Sequence, residues 1–120
     1  MADREDVPGA EINWHWHEQA EDDLVRYAEE GGPKVTRRAA HIVTTVGMFA
    51  TENIEDIECC EQRGGIRLCW WPQKHPLKAY FAQTDRGLYV AHVAYTGTAG
   101  EFAAAQALAL ERIKAFLSSD

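Results

Sequence analysis

The stretch Leu77–Lys114 reads LKAYFAQTDRGLYVAHVAYTGTAGEFAAAQALALERIK. Two short apolar runs, Leu77–Gln83 and Leu88–Tyr95, flank a turn-forming tetrad that contains a glycine, which is typical of a β-hairpin. A second glycine-containing turn leads into an alanine-rich segment. There Thr98 and Glu101 have the spacing of a reciprocal capping box, which marks the start of a helix. The stretch therefore predicts a strand, a turn, a second strand and a capped helix.

The residues before this stretch extend the pattern. Period-two alternation predicts strands, and apolar residues at helical spacing predict helices. The predicted elements are a strand at Glu11–His17, a helix at Glu18–Glu30, a helix that begins at Pro33 and ends near Thr45 or Ala50, and strands at Ile54–Cys60 and Ile66–Trp71. This order predicts a two-layer α+β fold, in which an N-terminal strand and a helical hairpin precede an antiparallel meander of about four strands and a C-terminal helix.

The length and the cysteines limit the class of protein. The chain of 120 residues predicts a single domain, 1–120, with 1–9 as a flexible tail. No apolar run is long enough to span a bilayer, and the charged start is not a secretory signal. The three cysteines, Cys59, Cys60 and Cys69, lack zinc-type spacing, so we expect reduced thiols in a cytoplasmic protein.

Charge is distributed unevenly along the chain. The net charge is −7, yet residues 1–32 carry ten acidic and two basic side chains, whereas residues 63–98 carry five basic and one acidic. The basic side chains of the predicted meander are either solvated surface groups or part of a site for a polyanion.

Three residues on successive predicted strands suggest a catalytic set. Arg67, Lys78 and His92 can meet in one patch if the strands pair antiparallel. Two cations that bind phosphate and a histidine that transfers protons would suit RNA cleavage. The alternative is structural: His92 alternates with Leu88 and Val90, which predicts a packed histidine, and the two cations would then be surface groups.

Aromatic and histidine residues are further candidates for a site. Trp71, Tyr80 and Tyr95 are candidate substrate-binding residues, which could stack on a base or could belong to the sheet's own packing. His15 and His17 would share one face of a strand, but two ligands do not make a zinc site, so no metal and no cofactor is expected. The sequence contains no phosphate loop, nucleophile elbow, HExxH pair or CxxC.

The C-terminal half resembles the RelE/ParE superfamily of small toxins, in particular its HigB-like and phage-derived branch. The matching segments are Leu77–Phe81, Leu88–Val93 and Thr98–Arg112. The resemblance implies a helical hairpin, an antiparallel sheet and a C-terminal helix. It also implies metal-independent cleavage of mRNA on the ribosome, with Arg67 and Lys78 on phosphate and His92 as acid or base, and an antitoxin protein as partner.

The chain departs from this family at two positions and in its charge. Lys78 stands where the family usually has arginine, and the segment Tyr95–Thr98 lacks the paired lysines that commonly follow the histidine strand. Family toxins are generally basic, whereas this chain is acidic. These departures predict a cleavage activity that is weakened or lost.

Two functions therefore follow from the sequence. The first is a RelE/HigB-like toxin, an endoribonuclease of weakened or lost activity. The second is a non-catalytic, acidic binding or inhibitor module, encoded by a phage or mobile element, which engages a basic protein through residues 1–32.

Overall fold

The computed structural model describes residues 14–51 and 60–119. Its helices are α1 (Glu18–Glu30), α2 (Gly32–Thr51) and α3 (Ala99–Ser118), and its strands are β1 (Trp14–Trp16), β2 (Cys60–Arg63), β3 (Ile66–Trp71), β4 (Leu77–Thr84) and β5 (Gly87–Tyr95). The expected tail and all but the last residue of the strand predicted at Ile54–Cys60 lie outside the described residues.

The strands form one sheet in the order β1-β5-β4-β3-β2. β2 to β5 make the predicted antiparallel meander, while β1 pairs in parallel with β5 and places Trp14 opposite Leu88. The α+β class and the order of elements are confirmed. The bounds of α1 and β3 match the sequence prediction, and α2 runs on to Thr51.

Helices cover both faces of this sheet. The hairpin of α1 and α2 packs on one face, against core residues that include Phe81 and Val90. α3 packs on the other face, where Ala109 and Ile113 meet Tyr80. The helices and sheet therefore form three layers, where we expected two, because both faces of the central strands β4 and β5 are apolar and each needs a cover.

Local sequence signals explain the turns and caps. Gly64 and Gly65 both have positive φ, the backbone conformation that a two-residue hairpin turn between β2 and β3 requires. At the start of α3 the capping box is present: Glu101 N donates to Thr98 Oγ1 at 3.1 Å, and Thr98 N donates to Glu101 Oε1 at 3.0 Å. The predicted start of the C-terminal helix is thus confirmed.

A register shift between β4 and β5 changes the orientation of His92. Phe81 pairs with Val90, and Tyr80 pairs with His92, so β5 carries one extra residue, Ala91. This bulge reverses the alternation, and Ala91 and His92 both lie toward the α3 side, near Tyr80. The expectation that His92 shares a face with Val90 is therefore wrong.

Cys60 and Cys69 lie directly opposite each other on β2 and β3, and the structure joins them in a disulfide. The expectation of reduced thiols is wrong for this pair, because strand pairing brings two residues that are nine apart in sequence to a Cα separation of 4.1 Å. Cys59 lies outside the described residues.

Candidate functional site

A groove of about 500 Å³ opens between the start of α2, the loop before β4 and the end of β5. We call it the basic groove; it is lined by Lys34, Val35, Arg37, Arg38, His41, His75, Leu77 and Tyr95. Three of these side chains are permanent cations and two are imidazoles, and none of the described lining residues is acidic. The groove therefore offers hydrogen-bond donors and positive charge without a competing carboxylate.

The first turns of α2 form one wall of the basic groove. Lys34, Arg37, Arg38 and His41 recur at intervals of three and four residues, which places them on one face of the helix. α2 contains no acidic residue in its 20 positions. The positive end of the helix dipole adds to the charge near Lys34, which lies in the first turn of α2.

The loop that leads into β4 forms the opposite wall. Lys78 is buried, and its Nζ donates to the carbonyl oxygens of Gln73, at 3.0 Å, and His75. Leu77 N donates to His75 Nδ1 at 3.1 Å, so the neutral imidazole carries its proton on Nε2. These contacts hold the loop and leave His75 as a hydrogen-bond donor.

The charge state of His75 is set by its surroundings. Burial lowers the pKa of His75 below its usual value, and the positive charges of Arg38 and Lys78 lower it further. His75 is therefore neutral at neutral pH. A bound anion would oppose these effects, so anion binding and protonation of His75 would favour each other.

Aromatic rings support and extend the basic groove. The ring of Trp71 stacks on His41, with centroids 5.1 Å apart and planes 5° from parallel. Tyr95 is 43% exposed and meets Tyr27 of α1 edge to face, at 5.0 Å. The groove thus has a positioned imidazole on one side and an accessible phenol on the other.

This combination of groups can bind an anion with several oxygens. Guanidinium groups pair with two oxygens of a phosphate or carboxylate, and an ammonium group adds a point charge. Tyr95 offers a flat surface on which a planar ring can stack. Phosphate groups linked to aromatic bases present both features in one molecule.

The expected patch of Arg67, Lys78 and His92 is not assembled. Arg67 lies next to the Leu68–Ala82 pair, whereas Lys78 pairs with Ala94 near the other end of the sheet. Arg67 also alternates with Cys69, which faces the helical hairpin, and Lys78 alternates with Tyr80, which faces α3. The side chains of the two cations therefore lie on opposite faces of the sheet, and the strand register also places them toward different ends of it.

His92 belongs to β5 and lies beyond the segment that pairs with β1, which ends with the hydrogen bond from His17 N to Val90 O. Arg112 of α3 donates to Ala91 O at 3.0 Å, and its Nη1 lies 3.5 Å from His92 Nδ1. Burial, and then the charge of Arg112, lower the pKa of His92 to about 4. His92 is thus a neutral, packed histidine at neutral pH.

The three predicted substrate-binding residues have different positions. Tyr95 lines the basic groove, and Trp71 supports His41 from behind. Tyr80 is fully buried, and its hydroxyl donates to Thr96 Oγ1 at 3.0 Å. Burial also raises the pKa of Tyr80. Of the three, Tyr95 is thus the residue that the groove presents to a ligand.

The main residues of the basic groove were not among the predicted site residues. Lys34, Arg37, Arg38 and His41 carried a readable signal, since their spacing marks one helical face without acids. The net charge of a longer segment conceals this signal, because the acidic residues that follow α2 in the chain offset its cations. No signal in the sequence places His75 opposite that helix, since their meeting depends on the tertiary fold.

Within residues 14–51 and 60–119, no three His, Cys, Asp or Glu side chains are grouped closely enough to hold a metal ion. In the same part of the chain no helix has the length and apolarity needed to cross a membrane. No family model, curated protein or solved structure matches the chain.

Proposed function

We propose that this protein binds single-stranded RNA in the basic groove. The observation that carries the proposal is the convergence of Lys34, Arg37 and Arg38 with two imidazoles, without an acidic side chain among the described lining residues. On a chain of net charge −7 such a concentration of positive charge is a local exception. It supports a ligand that is itself strongly anionic.

The extent of the cationic wall supports a polymer over a single small anion. Lys34 to His41 cover two helical turns, or about 10 Å along the α2 axis. Separate cations along this length can contact successive phosphates of a strand. Tyr95 can stack on an unpaired base, a contact that is typical of single-strand binding and tolerates different base sequences.

We further propose that the protein is a RelE/HigB-like toxin. It would be a cytoplasmic protein that acts on mRNA at the ribosome and is inhibited by an antitoxin. Its support is the element order, in which a strand and a helical hairpin precede an antiparallel meander and a C-terminal helix. In this proposal the cations of the basic groove position the RNA, in place of the dispersed Arg67 and Lys78.

Fluorescence anisotropy with a labelled single-stranded RNA tests the binding. Arg37→Ala and Arg38→Ala should each weaken affinity by about tenfold, since each removes a charge-assisted contact to phosphate. Lys114→Ala is the matched control, because Lys114 is an exposed cation on α3, away from the groove. Equal affinity of the two arginine variants and the unmodified protein would refute RNA binding at this site.

Expression in a bacterial host tests the toxin proposal separately. The unmodified protein should arrest growth, and Arg37→Ala combined with Arg38→Ala should relieve the arrest at equal protein level. Normal growth with soluble protein that binds RNA in vitro would exclude the toxin and retain the RNA-binding function. The two results therefore distinguish the binding site from its biological use.

A further inference from the structure

A second groove, of about 380 Å³, lies on the helical hairpin beside β1. We call it the tryptophan groove; it is lined by Trp14, Trp16, Glu21, Leu24, Val25 and Val43. Apart from Glu21, these lining residues are apolar, and two of them are indoles. The tryptophan groove shares no described lining residue with the basic groove.

The two tryptophans are only half buried. They meet edge to face at 5.6 Å, and Trp14 packs against Gly47 of α2, where a Cβ atom would lie 3.3 Å from the indole. β1 is a short edge strand, so nothing covers the outer part of these rings within the described residues. Aromatic surface is left at the protein exterior.

Further apolar surface adjoins the indoles. Val25 on α1 is 50% exposed and lines the tryptophan groove. Half-buried aromatic rings beside an exposed aliphatic side chain have the composition of an interface core, where a few aromatic anchors supply most of the binding energy.

Acidic side chains border the tryptophan groove on α1. Glu18, Asp22 and Glu29 recur with Val25 at intervals of three and four residues, so they share its helical face, and all three are exposed. α1 carries six acidic side chains and one basic one in its 13 residues. The apolar surface is thus rimmed by negative charge, which repels RNA and anionic lipid alike.

We propose that the tryptophan groove docks a cationic amphipathic helix of a partner protein. A large apolar side chain of that helix would enter between Trp16, Leu24 and Val25, and its lysine or arginine residues would face the acidic rim of α1. This occupant is favoured because it complements both parts of the surface. Its apolar side chain matches the apolar groove, and its cations match the acidic rim. The partner site does not depend on RNA binding.

The test uses the full-length protein and a synthetic helix of leucine and lysine with an amphipathic pattern, labelled for fluorescence anisotropy. A peptide of the same composition in scrambled, non-amphipathic order is the control for charge alone. The amphipathic peptide should bind saturably and at least about tenfold more tightly than the scrambled one. Raising salt from about 0.05 M to about 0.3 M should weaken binding, because the rim charges are screened.

Variants of the protein locate the bound peptide. Val25→Ser should weaken binding about fivefold or more by removing exposed apolar surface, with little effect on folding, since Val25 is half exposed. Glu21→Lys combined with Asp22→Lys should weaken it about tenfold or more through charge reversal. Glu111→Lys on α3 is the control, as an exposed acid away from the groove, and should leave affinity unchanged.

Three outcomes would overturn the proposal. The first is absence of saturable binding by folded protein, and the second is equal affinity for the amphipathic and scrambled peptides. The third is an effect of Glu111→Lys as large as that of the α1 charge reversal, which would show nonspecific attraction to an acidic protein.

Discussion

The imidazole of His41 and the indole of Trp71 lie face to face, with ring centroids 5.1 Å apart and planes 5° from parallel. His41 belongs to α2, and Trp71 ends β3 just before the loop that carries His75. This contact therefore packs the α2 wall of the basic groove against β3, next to the loop that forms the other wall. It links the packing of the sheet to the geometry of the proposed RNA site.

Removing the stacked indole should weaken both stability and RNA binding. Trp71→Ala should lower the free energy of unfolding by about 2–3 kcal/mol, below the usual cost for a fully buried tryptophan because this ring is only half buried. RNA affinity should fall about fivefold as His41 loses its support. Trp71→Phe keeps an aromatic face and should retain most of both properties. Denaturant midpoints and anisotropy, with circular dichroism to confirm folding, would check this, and RNA affinity unchanged in folded Trp71→Ala would contradict it.

His17 should contribute to stability as a helix cap. Its Nδ1 accepts a hydrogen bond from Gln19 N at 3.0 Å, which satisfies one of the first amides of α1. His17→Ala should cost about 1 kcal/mol of unfolding free energy, and His17→Ser should recover most of it. Chemical denaturation of the two variants would measure the difference. Equal stability of His17→Ala and the unmodified protein would show that the cap contributes nothing.

Stability should decrease as the pH falls from about 6.5 to about 4. Burial and Arg112 lower the pKa of His92 to about 4, so the unfolded chain binds a proton in this window that the folded protein does not. The contribution of His92 to stability is therefore fully present above its pKa in the unfolded chain. This contribution is lost as the pH decreases toward its pKa in the folded protein. His17 adds to this trend, since burial lowers its pKa as well.

Denaturant midpoints measured across this pH range would test the titration. His92→Gln should flatten the loss of stability between pH 6.5 and pH 4, because its side chain does not gain a proton. His15→Gln is the matched control, since that imidazole is exposed. If the slope of stability against pH is unchanged in His92→Gln, the pH dependence comes from other groups and the prediction is wrong.

Much of the fold could be predicted because its signals are local. The capping box of Thr98 and Glu101 and the bounds of α1 and β3 depend on nearby residues, and the structure confirms them. The bulge at Ala91 depends on how β4 and β5 pair, and the third layer depends on which face α3 covers. Neither is encoded in a short segment.

The candidate site was less predictable, because half of it depends on contacts between segments that are distant in the sequence. One wall of the basic groove is the helical face of Lys34, Arg37 and Arg38, which spacing alone could reveal. The other wall is set by loop contacts of Lys78 and His75 that form only in the folded protein. The spacing of residues in the sequence therefore indicates the α2 wall of the groove. It does not predict that the loop with His75 lies opposite that wall.

The salt dependence of RNA affinity tests the central proposal most directly. For a single strand, the logarithm of the binding constant falls by about 0.7 per decade of salt for each phosphate that a cation neutralises. Lys34→Ala, Arg37→Ala and Arg38→Ala should each reduce the magnitude of this slope by about 0.7, since each removes one phosphate contact. Lys114→Ala should leave the slope unchanged. Identical slopes for the groove variants and the unmodified protein, or an equal loss in Lys114→Ala, would contradict RNA binding in the basic groove.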